Sequence, residues 1–251
     1  MINNKKISVI IPCKNEAEII ASLIKEIPSC VDEIIVVDNN SSDNTFEEAK
    51  KIGAIVLKEG RAINGIGYGY AHQAGLALAS GDYLVALDGD KTYPSSEIKK
   101  IIKFMEKEKV DFISCNRLPL KNKSSISRTR QLGIIILNRV IGMLYGYPIK
   151  DTLSGMWVTK KEVVEKLNLK EGGWDFSPEI KLSAICHPEI KFEEYHINAF
   201  VRNGNTSKQK IWRTGIGHFK YILKRRFTTD NPFLSSFDLF NKILRPSLSK
   251  F

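Results

Sequence analysis

Cysteine is scarce and scattered in this 251-residue chain: Cys13, Cys30, Cys115 and Cys186 stand far apart, with no C-x-x-C pair. That spacing leaves no basis for a zinc ribbon or a disulfide framework and fits a reducing compartment. Histidine is equally thin. His72, His187, His196 and His218 lack metal-ligand spacing, so each reads as a capped, surface or core residue. No G-x-S-x-G occurs, which removes the nucleophile elbow of the α/β-hydrolases. Acidic residues are the minority, 28 Asp+Glu against 38 Lys+Arg, for a net charge of +10. That balance favours anionic partners: nucleic acid, phosphorylated ligands or an acidic membrane face. Long apolar runs are missing too. Met1–Lys6 is polar, and Ile7–Ile11 is too short for the apolar part of a secretory leader. The stretch Leu132–Tyr147 is broken by Asn138 and Arg139 and falls short of the roughly 20 apolar residues of a spanning helix. The expectation is a protein that does not cross a membrane.

What is present is an ordinary globular composition, 43% hydrophobic and 26% charged, long enough for one large α/β domain. The first half alternates two periods. Ile7–Ile11, Glu33–Val37, Ala54–Leu57, Tyr83–Leu87 and Asp111–Ser114 are short, β-branched, apolar runs that read as buried strands. Between them, Glu16–Ile27, Gly65–Ala79 and Ser95–Lys107 carry helical spacing, and a further helix is expected to run through Lys51. Ser41–Thr45 supplies capping residues, with Ser42 or Asp43 the expected cap. Strand, helix, strand, repeated, predicts a mostly parallel Rossmann-like sheet flanked by helices on both faces. Beyond Leu118 the pattern shifts to helices over Arg128–Tyr145, Lys160–Leu167 and Ser177–Cys186, a turn at Asp151–Gly155, and an extended stretch over Ile190–Val201. No linker separates a second domain, so this half reads as additions to one sheet.

In open α/β sheets ligands sit beyond the carboxyl ends of the strands. Three polar clusters fall there: Pro12–Glu16, Asp38–Asp43 and Asp88-Gly89-Asp90. The last is the sharpest signal. Two carboxylates flanking a glycine repel each other unless a cation or protons intervene. Mg²⁺ or Mn²⁺ is the natural neutraliser, and it would recruit a diphosphate in turn. Gly65-Ile66-Gly67-Tyr68-Gly69 does not fit G-x-G-x-x-G, so a dinucleotide cofactor site is not expected. Its glycines are instead expected to let a helix start approach a phosphate or sugar.

Taken together, Pro12-Cys-Lys-Asn-Glu16, Val36–Thr45, and Gly75 through Gly81-Asp82-Tyr83 to Asp88-Gly-Asp90 resemble the inverting family 2 glycosyltransferases. Asn116-Arg117, Asp151–Gly155, Phe176–Glu179 and Arg202–Lys208 narrow the resemblance to the polyprenyl-phosphate glycosyltransferases, a group that includes dolichyl-phosphate mannosyltransferase. The resemblance runs from about Lys6 to about Arg226. It implies an A-type glycosyltransferase fold over residues 1–226, a nucleotide-sugar donor (UDP-GlcNAc, UDP-glucose or GDP-mannose) and a dolichyl or polyprenyl phosphate acceptor. It also implies that Pro12, Asn15, Glu16 and Asp38 hold the nucleoside, that Asp88 and Asp90 carry the metal and diphosphate, and that Glu179 faces the acceptor. Lys91 stands where relatives often have a small or polar residue. A cation there would weaken metal binding or assist the diphosphate.

The implied reaction matches the basic residues. A phosphate nucleophile is already ionised at pH 7 and needs no general base. The protein must instead gather anions and stabilise a departing diphosphate by positioning and electrostatics. Arg117, Arg202 and Lys208 are the expected cations, with Arg128 and Arg130 as one either-or position, because guanidinium suits bidentate phosphate contacts. The apolar helix Arg128–Tyr147 and the tail Ile211–Phe227, which interleaves aromatics with cations, carry an interfacial signature. They point to peripheral attachment on the cytoplasmic face of a membrane rather than to nucleic acid, for which no motif is present. Residues 227–251 are a tail for membrane or oligomer contact. Two competitors stand beside this reading: a transferase to a soluble or glycan hydroxyl, whose Gln-x-x-Arg-Trp segment is missing here, and a non-catalytic nucleotide-sugar binding subunit.

Overall fold

The computed structural model describes residues 2–122, 124–202 and 209–228. Seven strands form one sheet: β1 (Ile7–Cys13), β2 (Glu33–Asp38), β3 (Ile55–Lys58), β4 (Tyr83–Ala86), β5 (Phe112–Asn116), β6 (Trp157–Lys160) and β7 (Phe192–His196). Their order is β3-β2-β1-β4-β6-β5-β7. Every neighbouring pair is parallel except those made by β6, which runs antiparallel between β4 and β5.

Strand residues of alternate parity enter two separate cores. Val9, Ile11, Val36 and Val85 pack with helices α1 (Ala17–Glu26), α2 (Thr45–Lys51) and α4 (Ile98–Glu108) on one face. Ile10, Ile35, Val37, Leu84 and Ala86 face α3 (Tyr68–Leu78), α5 (Arg128–Tyr145), α7 (Phe176–Cys186) and α8 (Ile211–Phe227) on the other. Period-2 alternation with both faces covered explains why the strands read as continuous apolar runs. The expected α/β sheet with flanking helices is therefore found.

The differences lie where tertiary pairing overrides local pattern. Trp157–Lys160 carried no strand signal, yet it pairs Tyr83↔Lys160 to Ala86↔Trp157 with β4 and Phe112↔Thr159 to Ser114↔Trp157 with β5. The helix expected over Lys160–Leu167 shrinks to α6 (Lys161–Val164) as a result. The helix expected from Gly65 begins at Tyr68, and the one expected from Ser95 begins with a 3-10 turn before α4. Only Phe192–His196 of the extended 190–201 stretch joins the sheet.

Chain direction locates the crevice. From β1 the chain moves outward to β2 and β3, then returns across to β4. The carboxyl ends of β1 and β4 therefore diverge into loops on opposite sides of a switch point, the usual ligand site in such sheets. Pro12–Glu16 leaves β1 there, and Asp88–Asp90 follows β4.

Candidate active site

Asp88 is a half-buried carboxylate in the crevice. Its Oδ1 accepts a 3.1 Å hydrogen bond from the Tyr68 hydroxyl. Burial, reinforced by the neighbouring Asp90 charge, pushes its carboxyl up to about 7. Asp90 is compensated: its Oδ1 accepts from Thr92 N and Oγ1 at 3.1 and 2.6 Å. Its Oδ2 accepts from Arg202 Nε at 2.7 Å and from Arg202 Nη2. Burial opposes charge on Arg202, but Asp90 outweighs it and raises the guanidinium. Arg202 Nη1 is buried and, among the described residues, has no acceptor. An orphaned guanidinium donor beside two carboxylates is a group awaiting an anion.

Two more cations converge on the same space. Arg117, at the end of β5, donates to both oxygens of Asp151, Nε to Oδ2 at 2.7 Å and Nη2 to Oδ1 at 3.0 Å. Burial opposes its charge, but Asp151 keeps the guanidinium raised. Arg130, in the first turn of α5, is lowered by burial and then by repulsion from Arg202 and Arg117. Arg130 thus feels the charge of both other guanidinium groups at this end of the sheet, and such a cluster is chemically able to bind an anion. The two members of the Arg128/Arg130 either-or position are placed differently. Arg130 lines the cavity and Arg128 lies exposed outside its wall.

The expected nucleoside residues divide. Pro12 and Glu16 line the cavity, as does Lys14, whose Nζ donates to Gly65 O at 3.0 Å. Asn15 and Asp38 do not line it. Asn15 holds φ +52 and uses its Oδ1 to accept from Ser42 N at 2.7 Å; Asp38 Oδ1 accepts from Ser41 N and Oγ. Asn15 thereby ties the β1–α1 loop to the β2–α2 loop, while Asp38 braces the β2–α2 loop from within. Asp43 is a cap, as expected of it or Ser42, but for two helices. Its Oδ1 accepts from Thr45 N at 3.0 Å and its Oδ2 from Ala17 N at 3.1 Å.

Three further expectations are corrected. Lys91, at φ +58, pairs with Glu26 at 2.5 Å and does not line the cavity. Glu179 is spent on the backbone amides of Lys170 and Glu171, each at 2.9 Å, and its carboxyl is raised chiefly by burial; it does not reach the cavity. Gly69 makes room for protein, not ligand: a Cβ there would stand 2.0 Å from Glu171 O. Lys208 lies outside the described residues.

Several residues were missed because their partners are distant in sequence. Tyr68 is one. Tyr93, whose hydroxyl accepts from Gly155 N at 2.6 Å, is another. Lys181 is fully buried, and its ammonium donates to Ser154 O, Thr152 O and Ser177 O at 2.7, 3.0 and 3.2 Å. It is the floor beneath the Asp151–Gly155 turn, and burial pulls it down to about 8. His72 is a core residue, as expected: buried, stacked on Phe176 with centroids 4.9 Å apart and lowered to about 3 by burial.

The cavity that these groups open into measures about 740 Å³. Its far walls are apolar, built from Leu132 and Ile136 of α5 and from Trp212, Ile216 and Phe219 of α8. All five are substantially exposed. No described helix is long and apolar enough to cross a membrane. Among the described residues no group of three or more His, Cys, Asp or Glu is arranged to hold a metal.

Comparison with known proteins matches residues 8–167 to the family model for glycosyl transferase family 2. The chain is 26% identical over 227 residues to a low-salt glycan biosynthesis hexosyltransferase of Haloferax volcanii, covering 86% of this chain and 53% of that protein. It is 31% identical over 183 residues to dolichol-phosphate mannosyltransferase of Pyrococcus furiosus, covering 70% of this chain and 52% of that protein. The chain thus spans about half the length of these two relatives. A crystal structure of glucosyl-3-phosphoglycerate synthase from Mycobacterium tuberculosis, in complex with Mn²⁺, UDP and phosphoglyceric acid, shares the fold. The TM-score is 0.71 at 21% identity, over 90% of this chain and 80% of that one.

Proposed function

The chain belongs to glycosyl transferase family 2, and on that premise we propose that it moves a hexose from a nucleoside diphosphate sugar to a polyprenyl (dolichyl-type) phosphate. The product is a lipid-phosphate sugar for glycan assembly, made peripherally at the cytoplasmic face of a membrane. One observation carries this reading. Arg117, Arg130 and Arg202 converge, with Nη1 of Arg202 lacking an acceptor among the described residues, at one end of a cavity whose other walls are exposed apolar side chains. That pairing suits a ligand with a phosphate head and a hydrocarbon tail. Relatives named as a dolichol-phosphate mannosyltransferase and a dolichyl-phosphate hexose transferase support it.

The donor sits over the β1 and β4 ends, with Pro12, Lys14 and Glu16 against the nucleoside. A divalent cation fits the donor set. The Asp88 carboxyl is raised by burial and then by the neighbouring Asp90 charge, and two hard oxygen ligands suit Mg²⁺ or Mn²⁺ sharing its remaining positions with a diphosphate. The solved glucosyl-3-phosphoglycerate synthase complexes contain Mn²⁺ or Mg²⁺ with UDP. Held by Asp88 and Asp90, such an ion would supply charge neutralisation for the leaving diphosphate. The protein's own part is to hold the acceptor phosphate on Arg117, Arg130 and Arg202, keep Asp88 fixed through Tyr68, and exclude water with the apolar wall. An oxygen of the ionised acceptor phosphate attacks the anomeric carbon as its bond to the diphosphate breaks. No proton has to be removed first.

A soluble phosphorylated acceptor is the second reading, favoured by the shared fold with glucosyl-3-phosphoglycerate synthase. Purified protein with Mg²⁺ or Mn²⁺, labelled nucleotide sugars and a short polyprenyl phosphate decides between them. Label is expected in the organic phase from one donor, and it should be lost in Asp90→Ala and Arg202→Ala. Label appearing only with soluble acceptors would overturn the lipid reading.

A further inference from the structure

We infer that Lys181 is a positioning residue: through the Asp151–Gly155 turn it sets where the Asp88 carboxylate and the Arg117 guanidinium stand. This role rests on the reading above, in which Asp88 helps hold a metal-bound diphosphate and Arg117 an acceptor phosphate.

The turn touches both groups. Asp151, at its start, receives Nε and Nη2 of Arg117. Gly155, at its end, lies so close to Asp88 that a Cβ added there would stand 2.6 Å from Oδ1 and 2.8 Å from Cγ. Lys181 acts on the peptide that joins Ser154 to Gly155. Its ammonium donates to Ser154 O at 2.7 Å, while the Gly155 amide donates to the Tyr93 hydroxyl at 2.6 Å. The oxygen and the N–H of a planar trans peptide point in opposite directions. Holding both therefore fixes the plane, and with it the Cα of Gly155 against Asp88.

The same ammonium donates to Thr152 O at 3.0 Å, and to Ser177 O and Oγ on α7 at 3.2 Å each. It thus ties the turn to a helix buried along most of its length. At the other end, Glu194 of β7 accepts from the amides of Lys150 and Asp151 at 2.8 and 3.1 Å. A carboxylate on the amides and an ammonium on the carbonyls grip one turn from its two ends.

Fold stability does not account for an ammonium in this place. Lys181 is fully buried, and its described hydrogen bonds all go to neutral oxygens. A charge kept from water without a paired counter-charge is held at a cost, and burial accordingly lowers this one to about 8. What the ammonium supplies is three directed hydrogens, shared between a turn and a helix. An apolar chain of similar length would fill the space and leave the Ser154–Gly155 plane held by Tyr93 alone.

Lys181→Met removes the donor and keeps the bulk. Lys181→Gln, neutral and one atom shorter, is the second variant and should show the same loss to a smaller degree. Lys161→Met is the control: that ammonium donates to Ala79 O at 2.8 Å beside the start of β4, the end away from Asp88. On the full chain, UDP affinity is measured with and without Mn²⁺, alongside melting temperature and turnover with a short polyprenyl phosphate. Mn²⁺ should strengthen UDP binding in wild type. Lys181→Met should reduce that gain by about tenfold or more, with metal-free UDP affinity within about twofold of wild type. Its kcat, counted per UDP-binding site, should fall by about tenfold or more. Lys161→Met should keep the full gain even where its melting temperature drops. A folded Lys181→Met that keeps the wild-type gain would overturn the positioning role, as would a folded Lys181→Gln that does so where the methionine variant does not fold. An equal loss in Lys161→Met would make the effect one of general stability and overturn it too. Absence of any Mn²⁺ gain in wild type would remove the metal reading and this role with it. A wild type with the gain but no label in lipid would sink the acceptor reading and leave the Lys181 comparison intact.

Discussion

At the scale of single residues, the site depends on groups whose cost of removal can be named. Asp151 is fully buried and Arg117 nearly so, with side-chain exposures of 0% and 14%. Arg117→Met strands Asp151, and breaking one side of a buried pair should cost about 3–5 kcal/mol by denaturant unfolding. Gly155 is under a different constraint. A Cβ there would stand 2.5 Å from Asp88 Oδ2, so Gly155→Ala must displace the carboxylate. Turnover should fall by about 100-fold, as expected for misplacing a reacting group by about 1 Å. Lys181 gives a pH signature. Its folded value near 8 lies below the ordinary lysine range, so between about 8 and 10.4 the unfolded chain binds more protons than the folded one. Stability from this group is therefore gained as pH rises through that window and lost as pH falls through 8. The stability of wild type relative to Lys181→Met should accordingly improve from pH 8 to 10, read by paired melting curves.

At the scale of elements, α5 and α8 pack against each other while presenting rows to solvent that a soluble surface would not choose. Trp212 and Met143 are each 77% exposed, with Leu132, Ile136, Ile216 and Phe227 beside them. The same helices carry Arg128, Arg139, Arg213, Lys220 and Lys224. Apolar rows edged by cations match an anionic lipid interface. Trp212→Ser and Met143→Ser together should reduce sedimentation with phosphatidylserine vesicles. Their melting temperature should stay close to wild type, because neither side chain is buried. Unchanged vesicle binding would remove membrane contact from the proposal.

At the scale of the whole molecule, the net charge of +10 sets how that contact responds to salt. Raising ionic strength from about 0.1 to about 1 M shortens the screening length from about 10 to about 3 Å. Vesicle binding driven by this field should fall steeply over that range, while binding held by apolar insertion alone would persist. A salt titration of the bound fraction distinguishes them.

The sequence by itself determined the elements whose signals are local. Strands β1, β2 and β4 are legible because both their faces are buried, and their polar ends are legible because chain polarity places loops there. The Asp88-Gly89-Asp90 pair stands out because like charges in an apolar context require a counter-charge. Asp43 was recognisable as a cap for the same local reason. Tertiary structure alone decided the rest. The strand Trp157–Lys160 exists because β4 and β5 leave a gap that it fills. Arg130 rather than Arg128 faces the cavity because helical phase is set by packing against α8. Asn15 accepts from Ser42, 27 residues away, so only the folded chain shows its side chain tying two loops together. Tyr68 and Lys181 carry no sequence signature at all. They acquire their roles from partners 20 and 27 residues distant, and only a folded chain brings those partners within hydrogen-bonding range.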